Sequence, residues 1–180
     1  MNPHLNTFLA PHTSLITESA VWGQAPLEIN TYLSSKIPPQ QYITSARGVV
    51  FQEDKVLVIK SPSQKYYVVP GGRCEAGETI AETLHREILE ETGWAITRPR
   101  YFAFVHFRHR GPKPEGYQYS YPDFFQVIYL AQAERHIPDR MVYDQYVVES
   151  EFVTIPTARQ LNMDESQKLL LNHAWNLLNS

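Results

Sequence analysis

Hydrophobic and polar residues change their rhythm at about residue 43. Residues 1–42 hold no sustained period and are interrupted by Pro3, Pro11, Pro26, Pro38 and Pro39, which reads as an irregular extension with one short helix near Leu27–Ser35. From Ile43 the texture is β-like. Ala46–Phe51 and Val56–Lys60 are rich in β-branched residues and flank Gln52-Glu53-Asp54-Lys55, the pattern of a hairpin. Tyr66–Val69 predicts a third short strand, ending at Pro70-Gly71-Gly72. Trp94–Phe107, Phe124–Ala133 and Val147–Ile155 predict further strands, with a long loop, Arg108–Pro122, between the first two. Asp164–Leu178 reads as an amphipathic helix whose apolar face is Leu169, Leu170, Ala174, Leu177 and Leu178.

One more helix is bounded sharply. Thr79 suits an N-cap, Glu82 three residues later completes a capping box, and Gly93 suits the left-handed position that ends the helix after Thr92. On a helical wheel Ile80, Ala81, Leu84 and Ile88 form one apolar stripe, which predicts the buried face. Glu91 falls inside that stripe, Glu87 at its edge, and Glu90 beside Glu91, one turn from Glu87. Solvated glutamates belong opposite an apolar stripe. Clustered on it they repel one another, and partial burial raises the cost. A divalent cation removes that difficulty, and an all-carboxylate donor set suits Mg²⁺ or Mn²⁺ better than zinc. Arg86, four residues before Glu90 and four after Glu82, can form an ordinary helix ion pair and can also hold a ligand carboxylate in place.

Gly72, five residues, Glu78, seven residues, then Arg86-Glu87-Ile88-Leu89-Glu90-Glu91-Thr92-Gly93-Trp94 resembles the Nudix box at every fixed position. The one departure is Trp94, where the family usually carries an aliphatic residue. The resemblance implies an α/β (α+β) fold, a Nudix-type α/β/α sandwich with a mixed β-sheet between helices, occupying residues 43–180 behind the 1–42 extension. It implies a metal-dependent hydrolase of a diphosphate bond in a small nucleotide-like substrate. Glu87, Glu90 and Glu91 would bind the metal, with Glu87 also near the attacking water. Arg86 would orient a glutamate, Glu78 would assist through the loop, and the carbonyl of Gly71 would be a further ligand. Family members often add an acidic residue from outside the box. Glu149 is the first candidate, with Glu151 alternating beside it; the plain alternative is an exposed strand carboxylate.

Composition narrows the partners. The chain has 180 residues, 43% hydrophobic and 19% charged, enough for one domain with a core. Its net charge is −3 without any block of like charge, which argues against a dedicated nucleic-acid surface. The single cysteine, Cys74, excludes an internal disulfide and reads as a bystander thiol. No basic, apolar leader and no apolar run of ~18 residues stand out, so no signal peptide or membrane span is expected and the cytoplasm is the default. A homodimer is compatible with all of this.

The loop 108–122 supplies substrate-binding candidates. Arg108 and Arg110 suit phosphates, and Tyr117 and Tyr119 can stack on a base, although alternating tyrosines equally form one strand face. His106 and His109 read as surface or structural residues. The marker residues of several Nudix subfamilies are absent, which leaves the substrate open. The competing functions are a non-catalytic nucleotide sensor, disfavoured by an intact box, a housecleaning nucleoside triphosphate pyrophosphohydrolase, and an isoprenoid diphosphate isomerase, disfavoured by the position of Cys74. Ser61, Ser63 and Cys74 have no histidine partner that spacing can assign, so direct attack by water is the simpler chemistry.

Overall fold

The structure, a computed structural model, describes residues 3–23, 25–117, 120–142 and 149–180. In chain order it contains helix α1 (Pro3–Leu9), strands β1 (Ile16–Trp22), β2 (Ala25–Leu33), β3 (Ile43–Gln52), β4 (Lys55–Lys60), β5 (Tyr66–Tyr67) and β6 (Gly71–Arg73), helix α2 (Ile80–Thr92), strands β7 (Trp94–His109), β8 (Asp123–His136) and β9 (Glu149–Thr154), and helices α3 (Ile155–Ala158) and α4 (Glu165–Leu178). Val147 and Val148, expected to begin the last strand, lie outside the described residues, as does Tyr119.

All nine strands join one mixed sheet in the order β1-β2-β7-β8-β3-β4-β5, with β6 added to β3 and β9 to β4. The β3–β8 pair is parallel and every other pair is antiparallel. One edge of β3 is divided between two partners. Its far end, Phe51 and Gln52, pairs with β4, while Ser45, Ala46 and Arg47 pair with β6. The sheet opens at that division, and the chain from β6 into α2 emerges there.

Strand alternation distributes the core over two faces. Val49, Phe51, Val105, Phe107, Ile128 and Leu130 face α4, where Leu170, Leu171 and Ala174 are buried. Ala46, Val50, Leu57, Val127 and Ala131 face Leu84 and Ile88 of α2. Beside α2, Leu5 and Phe8 of α1 cover Tyr32, Phe104 and Phe125. The result is the expected helix–sheet–helix sandwich. Each fully buried leucine or isoleucine contributes about 1.5–3 kcal/mol relative to an exposed one.

Several local expectations are corrected. Residues 25–33 form a strand, not a helix, and β1 and β2 together extend the sheet. Leu27, Ile29 and Leu33 alternate onto the α4 core while Tyr32 turns to the other face, a period of two that pays off only once β7 lies alongside. In α2 the buried face is broader than the expected stripe: Ala81 is exposed, and Thr83 and Thr92, on its two edges, are buried with Leu84 and Ile88. In α4 Leu171 is buried, and Leu169 is only half-buried. No helix among the described residues is long and apolar enough to cross a membrane.

Candidate active site

The helix that carries the glutamates is fixed at both ends by its own sequence. Thr79 accepts from the backbone N–H of Glu82 while the Glu82 carboxylate accepts from the N–H of Thr79, and Gly93 ends the helix with φ 73°. That left-handed conformation is open to glycine at no steric cost. Its buried threonines are tolerated because each hydroxyl has a nearby acceptor: Thr83 donates to Glu78 at 2.9 Å and Thr92 to the carbonyl of Ile88 at 2.6 Å. The helix lies close to β3, since a Cβ on Gly48 would stand 3.0 Å from the Ile88 methyl.

Arg86 organises the acidic residues around it. Its Nε donates to Glu78 Oε1 at 2.6 Å, and Nη2 donates to Glu78 Oε2 at 2.9 Å and to the carbonyl of Arg73 at 3.0 Å. Nη1 is shared between Glu87 Oε1 at 2.9 Å and Glu90 Oε2 at 3.1 Å. All five guanidinium N–H bonds are thereby engaged. Glu78 also accepts from the Thr83 hydroxyl and from the N–H of Glu75 at 3.0 Å. Arg86, foremost, holds the Glu78 carboxyl down at about 2, aided by those two donors against partial burial. The same contacts push the Arg86 guanidinium up, further from deprotonation.

The loop closes on the helix through backbone. The N–H of Gly71 donates to Glu91 Oε2 at 2.7 Å. Gly71 has φ 131°, and a Cβ there would stand 2.4 Å from the Ala46 carbonyl. At Gly72 the neighbour is the Glu87 carboxylate itself, with Oε2 only 2.2 Å from where a Cβ would be. The missing side chain of Gly72 is therefore the space that Glu87 occupies.

Glu78, Arg86, Glu87, Glu90, Glu91 and Gly71 are thus brought together, as the spacing implies. Three carboxylates, those of Glu78, Glu87 and Glu90, bond to one guanidinium, and a fourth, Glu91, closes onto the Gly71 N–H. That excess of negative charge, with hard oxygen donors and a backbone cradle, is chemistry that fits Mg²⁺ or Mn²⁺. Among the described residues, however, no three His, Cys, Asp or Glu side chains stand close enough to share an ion as they lie. Glu87 and Glu90 are turned onto Arg86 instead.

The residues proposed from outside the box are not brought to it. Glu149 pairs across the sheet with Lys60 and is exposed. Alternation from Phe152, which packs on the α2 side, and Val153, which packs on the α4 side, puts Glu149 and Glu151 on the face opposite α2. Arg110 is ion-paired with Glu28 of β2. Arg108 lies 3.9 Å from Asp123 Oδ1. Tyr117 meets His109 through its hydroxyl at 3.0 Å. Arg108 stands opposite Glu28 in the β2–β7 ladder, and Arg110 foremost, with Arg108 behind it, lowers the Glu28 carboxyl, so the two arginines meet at Glu28 while Tyr117 is held by His109. Tyr119 lies outside the described residues.

His106 and His109 are structural, and both are buried rather than on the surface. His106 pairs with Asp123 at 2.8 Å. Cys74 is half-buried beside Thr83, and burial pushes its thiol up, away from the reactive thiolate. Two contributors escaped the sequence reading. Thr83 fixes Glu78, and its signal is a polar β-branched residue on the apolar side of a helix. The Arg73 carbonyl holds Arg86 and leaves no side-chain signal. A cleft of about 450 Å³ lies elsewhere, between α1 and the β2–β7 pair. Arg108 lines it together with His12, Glu28, Asn30 and His106, and Asn30 donates to Glu28 at 3.2 Å.

Comparison with known proteins follows from this geometry. The NUDIX domain family matches residues 42–173. An uncharacterized Nudix hydrolase, YvcI of Bacillus subtilis (strain 168), is 38% identical over 60 residues, 33% of this chain and 38% of its own length. An ADP-ribose pyrophosphatase of Methanocaldococcus jannaschii is 43% identical over 49 residues, 26% of this chain and 29% of its own length. The chain spans little more than a third of the first curated relatives it matches, 35% and 38% of their lengths. Among solved structures, a NUDIX hydrolase from Nitrosomonas europaea shares the fold with TM-score 0.57 at 20% identity, covering 75% of this chain and 89% of the other.

Proposed function

The chain belongs to the Nudix family, and on that premise we propose that it hydrolyses the diphosphate bond of a nucleoside diphosphate linked to another moiety. The observation that carries this reading is the box cluster itself, with Glu87 seated in the space left by Gly72 and Glu91 closed onto the Gly71 N–H. Glu87, Glu90 and Glu91, with the Gly71 carbonyl, are the residues that would hold Mg²⁺ or Mn²⁺. Such an ion would neutralise diphosphate oxygens and lower the pKa of a water molecule. Arg86 and Glu78 keep the carboxylates apart and aimed. Water is the nucleophile, because the cysteine near the site is a half-buried thiol that burial pushes away from the reactive thiolate.

The ADP-ribose pyrophosphatase among the relatives supports a nucleoside diphosphate joined to a second group as the substrate class. The test is a panel of nucleoside diphosphate sugars, dinucleotides and nucleoside triphosphates with Mg²⁺, read by phosphate release after phosphatase treatment. Cleavage of a diphosphate-linked compound to two phosphorylated fragments supports the reading. Preference for a triphosphate, releasing pyrophosphate, replaces it with the housecleaning role. Failure on every compound with Mg²⁺ and with Mn²⁺ points to a non-catalytic sensor. In ¹⁸O-labelled water one label should enter one phosphate product, and a kinetically competent phosphoryl or nucleotidyl adduct on the protein would refute water attack.

A further inference from the structure

We propose that Arg86 is an internal cation that competes with the divalent ion for Glu87 and Glu90, so that metal binds only as the Nη1 contacts are surrendered. The inference rests on the metal-dependent reading above. It starts from how the five N–H bonds of Arg86 are divided. Three of them, on Nε and Nη2, go to Glu78 and to the Arg73 carbonyl, partners outside the proposed ligand set. The other two, on Nη1, go to one oxygen each of Glu87 and Glu90, both proposed ligands. Nη1 therefore stands where it neutralises the two carboxylates that would otherwise repel each other one helical turn apart. Because both are turned onto it, no three acidic side chains among the described residues are placed to share an ion.

The division makes the exchange local. Glu78 is itself held by the Thr83 hydroxyl and the Glu75 N–H, so the Arg86 anchor persists when Nη1 lets go. Arg86 need not leave the site. Its anchored side keeps the guanidinium in plane while Glu87 and Glu90 rotate about their own side-chain bonds. Glu87 is confined against Gly72 at the same time, which limits how far it moves. Arg86 is thus a positioning residue with a second role of opposite sign: it prepares the carboxylates and weakens their hold on metal.

The two roles predict opposite results when the charge is removed. If Arg86 only orients the glutamates, Arg86→Gln lowers metal affinity. If it competes, the variant binds metal more tightly while turning over more slowly. Loss of one positive charge within ~5 Å of a divalent ion corresponds to roughly tenfold in affinity even at a water-like dielectric. The experiment titrates Mn²⁺ alone, without substrate, into wild type and Arg86→Gln, and reads free Mn²⁺ by electron paramagnetic resonance. Circular dichroism checks the fold of the variant. Roughly tenfold tighter binding supports the inference. Equal or weaker binding in a folded variant overturns it and leaves the functional reading standing. No Mn²⁺ binding in either protein overturns both. Should the variant not fold, NMR of the Arg86 guanidinium in wild type decides. On Mg²⁺ saturation the Nη1 protons should exchange faster while the Nε proton, on Glu78, stays protected. Unchanged protection at both positions overturns the inference.

Discussion

Replacing Glu78 by glutamine isolates one electrostatic contribution to stability, because the amide oxygen can still accept from the Thr83 hydroxyl and the Glu75 N–H. What it loses is the charge opposite Arg86. The folded protein holds this carboxyl at about 2 against an ordinary 4.5. At 1.36 kcal/mol per pH unit that difference is worth about 3 kcal/mol as an upper bound. The Arg86 and Glu78 side chains remain 23% and 18% exposed, so water screens the pair, and about 1–2 kcal/mol is the better expectation. The carboxyl is depressed in the folded state, so the unfolded chain takes up its proton first as pH falls. The stabilisation is complete above about pH 4.5 and is lost as pH falls through about 2. Urea unfolding of wild type and Glu78→Gln, with chelator present to exclude metal, should show the variant less stable by about 1–2 kcal/mol near neutrality. The gap should narrow steadily below pH 4.5. Carboxylates remote from Glu78 cancel between the two proteins, so the difference reports Glu78 and the groups bonded with it to Arg86. A gap that stays constant down to acid pH, or no gap at neutrality, refutes the reasoning.

Glu91→Gln should keep its melting temperature, since the amide oxygen can still accept from the Gly71 N–H, yet lower kcat by at least the ~10–100-fold typical of damage to a metal site's supporting groups. Near-full activity removes Glu91 from the proposed ligands. Gly72→Ala should lower kcat far more than melting temperature, because the new methyl meets the movable Glu87 carboxylate and not backbone; steady-state kinetics beside a thermal melt separates the two. Leu5→Ala, at a residue 1% exposed under α1, should cost about 2–4 kcal/mol in chemical denaturation if α1 is integral to the fold, and nothing measurable if it is not. Saturating Mg²⁺ should raise the melting temperature of wild type, and the gain should follow the ligand-linkage form, about 2.7 kcal/mol at 100 times Kd.

Helix α2 and its loop were legible in the sequence because their determinants are local. Thr79, Glu82 and Gly93 act within one helix, and the box residues act within one loop and the helix after it. What was illegible depends on partners far along the chain. Residues 16–33 read as irregular because their alternation is short and broken by Pro26, and β1 and β2 form only where β2 lies against β7, from Leu27 opposite His109 to Leu33 opposite Ala103. Arg110 reads as a phosphate ligand until the fold places Glu28 beside it, 82 residues away. Glu149 reads as a metal ligand until the pairing of β9 with β4 decides which face it shares.

The wheel of α2 failed for a different reason, and it bears on the site. Apolar character as the guide to burial selects Ala81 over Thr83. Burial of a threonine costs little when its hydroxyl is satisfied, and Thr83 has Glu78 as acceptor. The buried face therefore extends to Thr83, which steadies Glu78, which in turn fixes Arg86. Glu91, inside the stripe, is half-buried against the Gly71 N–H, and Glu87 and Glu90 lie within reach of Nη1. The sequence reading found a repulsion among glutamates and assigned its relief to an ion. The Nη1 contacts to Glu87 and Glu90 already relieve part of it, so on the proposal above metal affinity at this site would be a difference between two cations rather than a property of the carboxylates alone.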